Sequence, residues 1–239
     1  ADALTHAVSD TSVRVVMFQG HETVFSAGND IGDFLNKPPS GPDAPVFRFL
    51  NAIATFPKPL LAAVCGPAVG IGTTLLLHCD LVYAGDNAMF SMPFVNLGIC
   101  PEAASTLLVP KLMGYQRAAE VLLMGDPFMA EAALEVGLVN RVVPPTEANA
   151  LAQQQARRLA AKPMSSLIET KRLLKASITP AVAATCAMPT SAEVGDPASD
   201  VAATGAEGTC GPWPGRGRGA WRLPWLEWGQ RQAVLFDLG

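Results

Sequence analysis

The chain has 239 residues, 49% hydrophobic and 16% charged, a composition that excludes a disordered protein and allows one sizeable core. A formal net charge of −4 and a pI near 5.4 argue against nucleic-acid and acidic-membrane partners, and no apolar run reaches the roughly 18 residues of a membrane span. The five cysteines (Cys65, Cys79, Cys100, Cys186 and Cys210) are scattered with no C-x-x-C, so neither zinc nor a disulfide framework is expected, and the start lacks a signal-like segment.

In chain order, Val13–Phe18 reads as a buried strand closed by Gly20. Gly28 permits a sharp turn with positive φ, and Asp30 is placed to cap a short helix over Ile31–Leu35. The proline-rich stretch at 37–42 is a loop. Val46, Phe49, Leu50 and Ile53 then recur at helical spacing, and that helix must stop before Pro57-Lys58-Pro59. Leu60–Val64 is a continuous apolar strand of the kind buried on both faces. A glycine-punctuated loop follows, then a helix over Ile71–His78 and strands at Leu81–Ala84 and Ala88–Phe90. Helices are expected at 103–113 and 115–124 with Gly114 between them, at 130–136, at 146–161 and at 163–176, and a strand at 140–143. Alternating short strands and helices imply an α/β domain. From about Thr185 the period is lost, and all four tryptophans fall among Gly, Pro and Arg, so 185–239 reads as an irregular tail behind a core at 1–184.

The chemistry concentrates between Cys65 and Glu102. Gly66-Pro67-Ala68-Val69-Gly70-Ile71-Gly72 turns directly into an apolar helix, which leaves backbone N–H groups free for an anion or a developing oxyanion. Glu102 lies in the apolar setting Leu97-Gly98-Ile99-Cys100-Pro101. Oxyanion donors with one isolated carboxylate suit proton abstraction beside a carbonyl. A glutamate here can also serve only to cap helix 103–113. His78 reads as a satisfied core histidine and Asp80 as a structural turn residue. Arg157, Arg158, Lys171, Arg172 and Lys175 read mostly as solvated charge. No serine-hydrolase elbow and no dinucleotide fingerprint is present.

Phe25-Ser26-Ala27-Gly28-Asn29-Asp30-Ile31, Pro57-Lys58-Pro59, the Gly66–Gly72 loop, Cys79-Asp80-Leu81 and Ala130–Val142 follow one another as in the crotonase (enoyl-CoA hydratase/isomerase) superfamily, which the chain resembles over roughly residues 13–176. The resemblance implies a crotonase-like superhelix of repeated β-β-α units with C-terminal helices. It also implies first strands that this sequence does not contain. Within the superfamily the chain is most similar to peroxisomal-type and bacterial Δ3,Δ2-enoyl-CoA isomerases. Hydratases carry two acids, and the matching positions here are Thr74 and Phe94, whereas Glu102 stands where the isomerases have their single acid. Handling a water takes two carboxylates, and moving a proton from C2 to C4 takes one.

The implied function is isomerisation of a 3-enoyl-CoA in fatty-acid β-oxidation, with enoyl-CoA hydration or non-catalytic acyl-CoA binding as the alternatives. The implied catalytic set is Glu102 with the backbone N–H groups of Asn29 and Ile71. Ser26, Ala27, Gly28, Asp30, Ile31, Gly70 and Phe94 are implied to line the acyl-CoA site. CoA is part of the substrate and no separate cofactor or metal is expected. A homotrimer or dimer of trimers in a bacterial cytoplasm is the expected setting.

Overall fold

The computed structural model describes residues 1–29 and 43–186. Among the described residues, seven strands form two sheets. One is wholly parallel, in the order β1 (Val16–Gln19), β2 (Leu60–Val64), β4 (Leu81–Gly85), β7 (Arg141–Val143). The other holds β3 (Pro67–Val69), β5 (Met89–Ser91) and β6 (Phe128–Met129), with β3 and β5 parallel and β6 antiparallel to β5. An isolated parallel bridge joins Ser26 to Ala68 at the edge of this second sheet.

This pairing winds the chain. After β1 it crosses to the second sheet at Ser26, after β2 at β3, and after β4 at β5. Each turn therefore leaves one strand in each sheet, which is the repeated β-β-α arrangement expected. The turns are tight because Gly66, at φ +64°, connects β2 to β3 where a Cβ would collide with the backbone carbonyl of Thr23.

The apolar run Leu60–Val64 is a strand because both its faces have a partner. Leu60, Ala62 and Val64 join a core with Leu50 and Ile53 of α2 (Pro45–Thr55). Leu61 and Ala63 pack on the other side with Met17, Tyr83 and the alanines of α7 (Pro145–Ala160). Ala152 and Ala156 lie one turn apart on α7, and their small size lets that helix sit close on the sheet. Each fully buried aliphatic side chain contributes about 1.5–3 kcal/mol, so this two-faced strand anchors the domain.

The remaining helices are α1 (Asp2–Ser9), α3 (Ile71–Thr74), α4 (Ser105–Met113), α5 (Tyr115–Ala119), α6 (Ala130–Glu135), α8 (Met164–Lys175) and α9 (Thr179–Cys186). Helix α3 tightens into a 3₁₀ turn over Leu75–His78, and α5 widens into a π turn over Glu120–Met124. Helix α1, strands β3 and β6 and helix α9 were not expected. Helix α9 reaches Cys186, so the first residues of the expected irregular tail are helical, and the tail from 187 lies outside the described residues. The expected cap at Asp30 and helix at 31–35 also lie outside them. No described helix is long and apolar enough to cross a membrane.

Two lysines correct the expectation of solvated charge. Lys171 is buried, with its Nζ donating to Asp80 Oδ2 at 2.7 Å and to the Lys58 carbonyl at 2.7 Å. Lys175 Nζ donates to the His78 carbonyl at 3.2 Å. Arg157, Arg158 and Arg172 are exposed as expected. Lys58 is also buried, donating to the carbonyls of Ala7, Asp10 and Val13 and so tying α1 to the sheet. Helical spacing alone gave no sign that α8 turns Lys171 inward, because its partner Asp80 lies 91 residues away.

Candidate active site

Two loops converge at the open end of the β-β-α turns. Phe25 and Ser26 both donate their amides to the Pro67 carbonyl at 3.0 Å, and Val69 returns its amide to the Ser26 carbonyl at 2.9 Å. Residues 25–29 are thereby laid along β3. Glycines permit the approach. A Cβ on Gly72 would stand 2.7 Å from Ser26 Cβ, and one on Gly28, at φ +90°, would stand 3.0 Å from the Val69 carbonyl oxygen.

Gly70 makes the turn into α3. Its φ of 56° and ψ of −118° belong to glycine alone, and its amide donates to the Ser91 carbonyl at 2.9 Å. The Gly70 carbonyl takes the amides of Thr73 and Thr74. Among the described residues the amides of Asn29 and Ile71 find no acceptor, as is also the case for those of Ala27 and Gly72. Helix α3 is a single turn, so its dipole adds little and the local amides themselves supply the field.

Glu102 precedes α4 and is half-buried. Its Oε1 is buried without a hydrogen-bond partner among the described residues. Burial alone pushes its carboxyl from 4.5 up to about 7, because the charged form loses hydration and no cation restores it. The helix-cap reading fails. Helix α4 begins at Ser105 with Ala104 as N-cap and no side-chain cap, and it is Ser105 that binds back, through its amide (3.0 Å) and Oγ (2.6 Å), to the Glu102 carbonyl.

Between Glu102 and α4 the backbone turns left-handed twice, at Ala103 (φ 56°) and Ala104 (φ 54°). Both alanines are buried, and the Ala103 carbonyl accepts a hydrogen bond from His78 Nε2 at 2.8 Å. His78 is a core histidine, as expected, with its pKa lowered to about 4, chiefly by burial. Asp80 is structural, as expected. Its Oδ2 accepts the Leu60 amide at 2.8 Å and the Lys171 ammonium.

The two positions that the resemblance matches to hydratase acids are both buried. Phe94 is buried against Met92, Val109, Ala118 and Leu122. Thr74 is fully buried, and its hydroxyl has no partner among the described residues. Contacts bring Ser26 against Pro67, Val69 and Gly72, and Gly28 against Val69, with Ala27 and Asn29 adjoining one side in sequence and Gly70 and Ile71 the other, while Asp30 and Ile31 lie outside the described residues. The strained alanine pair and its bond to His78 were missed by sequence reasoning, although His78 itself was expected in the core. A histidine closing the run Leu75-Leu76-Leu77 signals a buried polar group that needs a partner, but nothing local names Ala103.

The family model for enoyl-CoA hydratase/isomerase matches residues 1–193. Rat enoyl-CoA delta isomerase 2 is 39% identical over 179 residues, 72% of this chain and 46% of that protein. The 2,3-dehydroadipyl-CoA hydratase of Escherichia coli K12 is 35% identical over 175 residues, 73% of this chain and 69% of the hydratase. The structure of Pseudomonas aeruginosa OdaA superposes with a TM-score of 0.80 at 43% identity, covering 86% of this chain and 85% of that one. The chain thus spans less than half the length of the rat isomerase. Strand pairing, glycine loops and these matches agree that the chain belongs to the enoyl-CoA hydratase/isomerase family, whose members include both kinds of enzyme.

Proposed function

We propose that this chain moves the double bond of a 3-enoyl-CoA thioester from C3 to C2. The observation that carries the reading is Glu102, a carboxyl with an unpartnered oxygen, pushed up to about 7 by burial, while positions 74 and 94 hold threonine and phenylalanine. The thioester carbonyl accepts hydrogen bonds from the amides of Asn29 and Ile71. Glu102 removes a proton from C2, and the C–H electrons pass into a dienolate whose charge rests on the thioester oxygen. Protonated Glu102 then returns the proton at C4 and the new double bond lies between C2 and C3. A carboxyl titrating near neutrality is matched to both halves, since it is present as base and as acid at the same pH.

Ser26, Ala27 and Gly28, with Asp30 and Ile31, hold the CoA portion largely through the backbone, and Gly70 and Phe94 shape the acyl side. CoA belongs to the substrate, and the reaction needs no further cofactor. The catalytic core is assigned to 1–184 and its place to the oxidation of unsaturated acyl chains. Exposed Tyr115, Leu123, Met124, Leu173 and Leu174 support burial against neighbouring copies in a homotrimer or dimer of trimers.

The test is conversion of 3-hexenoyl-CoA by wild type and Glu102→Gln. The variant should lose about 10²–10⁴ in kcat and still bind CoA. The similarity to a hydratase keeps hydration as the second reading. Rapid water addition to crotonyl-CoA with no isomerisation would replace the proposal by that reading. Equal inertness of wild type and variant would leave an acyl-CoA-binding protein.

A further inference from the structure

We infer that His78 is the positioning residue of Glu102, holding the left-handed Ala103-Ala104 turn that keeps the carboxyl in its half-buried place. The inference rests on Glu102 being the acid of the site. Two consecutive non-glycine residues with positive φ do not persist unless the surroundings over-determine them. Here the determining contact comes from another element, the 3₁₀ turn that continues α3. Its His78 Nε2 lies 2.8 Å from the Ala103 carbonyl oxygen, and Ser105 closes the other side on the Glu102 carbonyl.

The tautomer follows from the partner. A carbonyl only accepts, so Nε2 carries the hydrogen. The ring stays neutral because it is buried and the charged groups facing it are cations. Lys175 donates to its backbone carbonyl, and Lys171 pairs with Asp80 beside it. A neutral donor fixes the loop without placing a positive charge near Glu102, where a cation would pull the carboxyl back toward its ordinary range. Among the described residues no cation offsets the burial that raises the Glu102 carboxyl. The same short segment, Ile71–His78, thereby presents the Ile71 amide at one end and braces the acid from the other. Oxyanion donor and proton carrier are set by one continuous element.

The test compares His78→Leu, which removes the donor, with His78→Gln, whose amide nitrogen reaches about as far as Nε2. Glu102 is followed by carboxyl ¹³C NMR in glutamate-labelled protein, its signal assigned by its absence from Glu102→Gln. In His78→Leu the Glu102 titration should fall from near 7 toward 4.5, and kcat on 3-hexenoyl-CoA should drop about 10–10³-fold with KM changed less than about threefold. His78→Gln should keep the high titration and recover most of kcat. If His78→Leu does not fold, His78→Asn, one methylene too short, takes its place. Unchanged Glu102 titration in the ablated variant overturns the inference, as does equal damage by the Gln and the ablating substitutions. A fully active Glu102→Gln would sink the acid assignment instead, while the titration would still decide what His78 holds.

Discussion

Glu102 should cost the protein stability whenever it is ionised, and that cost can be measured apart from catalysis. The folded carboxyl titrates near 7 and the unfolded one near 4.5. The folded value is the raised one, so the protonated acid is favoured in the native state. Its stability is fully present below about pH 4.5 and is lost as the pH rises through about 7. At 1.36 kcal/mol per unit the whole shift is worth about 3 kcal/mol, and partial exposure to water reduces this to about 1–2 kcal/mol. Glu102→Gln keeps the shape and never ionises. At pH 8 it should melt a few degrees above wild type, at about 2–4 °C per kcal/mol for a chain of this size, and the gap should close at pH 4.5. Scanning calorimetry of both proteins across pH 4.5–8 provides the reading. A gap independent of pH, or a less stable variant at pH 8, would mean the carboxylate is well hydrated and would remove the physical basis of the proton shuttle.

Three further substitutions probe the frame around that acid. Gly70→Ala meets no atom within 4 Å, so its effect is purely conformational at φ +56°. It should turn the Ile71 amide away and lower kcat about 10²–10³-fold at a stability cost of only about 1–2 kcal/mol by urea denaturation. Gly66→Ala should be far less tolerated, losing at least about 2 kcal/mol and much soluble protein, because strain is joined by collision with the Thr23 backbone. Lys171→Met leaves Asp80 without its paired ammonium and should cost about 2–4 kcal/mol, somewhat less than the roughly 3–5 kcal/mol of a fully buried pair since Asp80 is 26% exposed. The double variant with Asp80→Asn should recover part of that loss.

What could be read from the sequence was what repeats locally. The apolar run Leu60–Val64 has no alternation because it is covered on both faces, and that unbroken apolarity revealed it. The Gly66–Gly72 loop and Glu102 stood out as glycines that allow close backbone approach and an acid among apolar residues, whereas Ser26–Gly28 was joined to them by the family resemblance. What escaped were features whose cause lies far along the chain. Lys171 sits on a helix whose pattern looks solvated, and only the fold brings Asp80 to it. Strand β3 is three residues beginning with proline, too short for a period, and exists because β5 and Ser26 flank it. Ala103 and Ala104 carry no sequence sign of positive φ, since alanine ordinarily favours the right-handed helix.

That last miss bears on why the acid is where it is. A chain selected only for stability would place glycine or asparagine in the two left-handed positions and a hydrogen-bond partner on Glu102 Oε1. Instead Glu102 keeps an oxygen without a partner among the described residues, directly before two strained alanines, while the buried lysines Lys58 and Lys171 are satisfied. Glycine at 103 would relieve strain but let the loop sample conformations that bring Glu102 to water, where its pKa returns to the ordinary range and its strength as a base at neutral pH is lost. Alanine narrows the loop to few states and His78 selects among them. Local conflict with intrinsic preference, confined to the residues that hold one acid dry, is the pattern expected where function sets the structure and the rest of the fold supplies the stability it consumes.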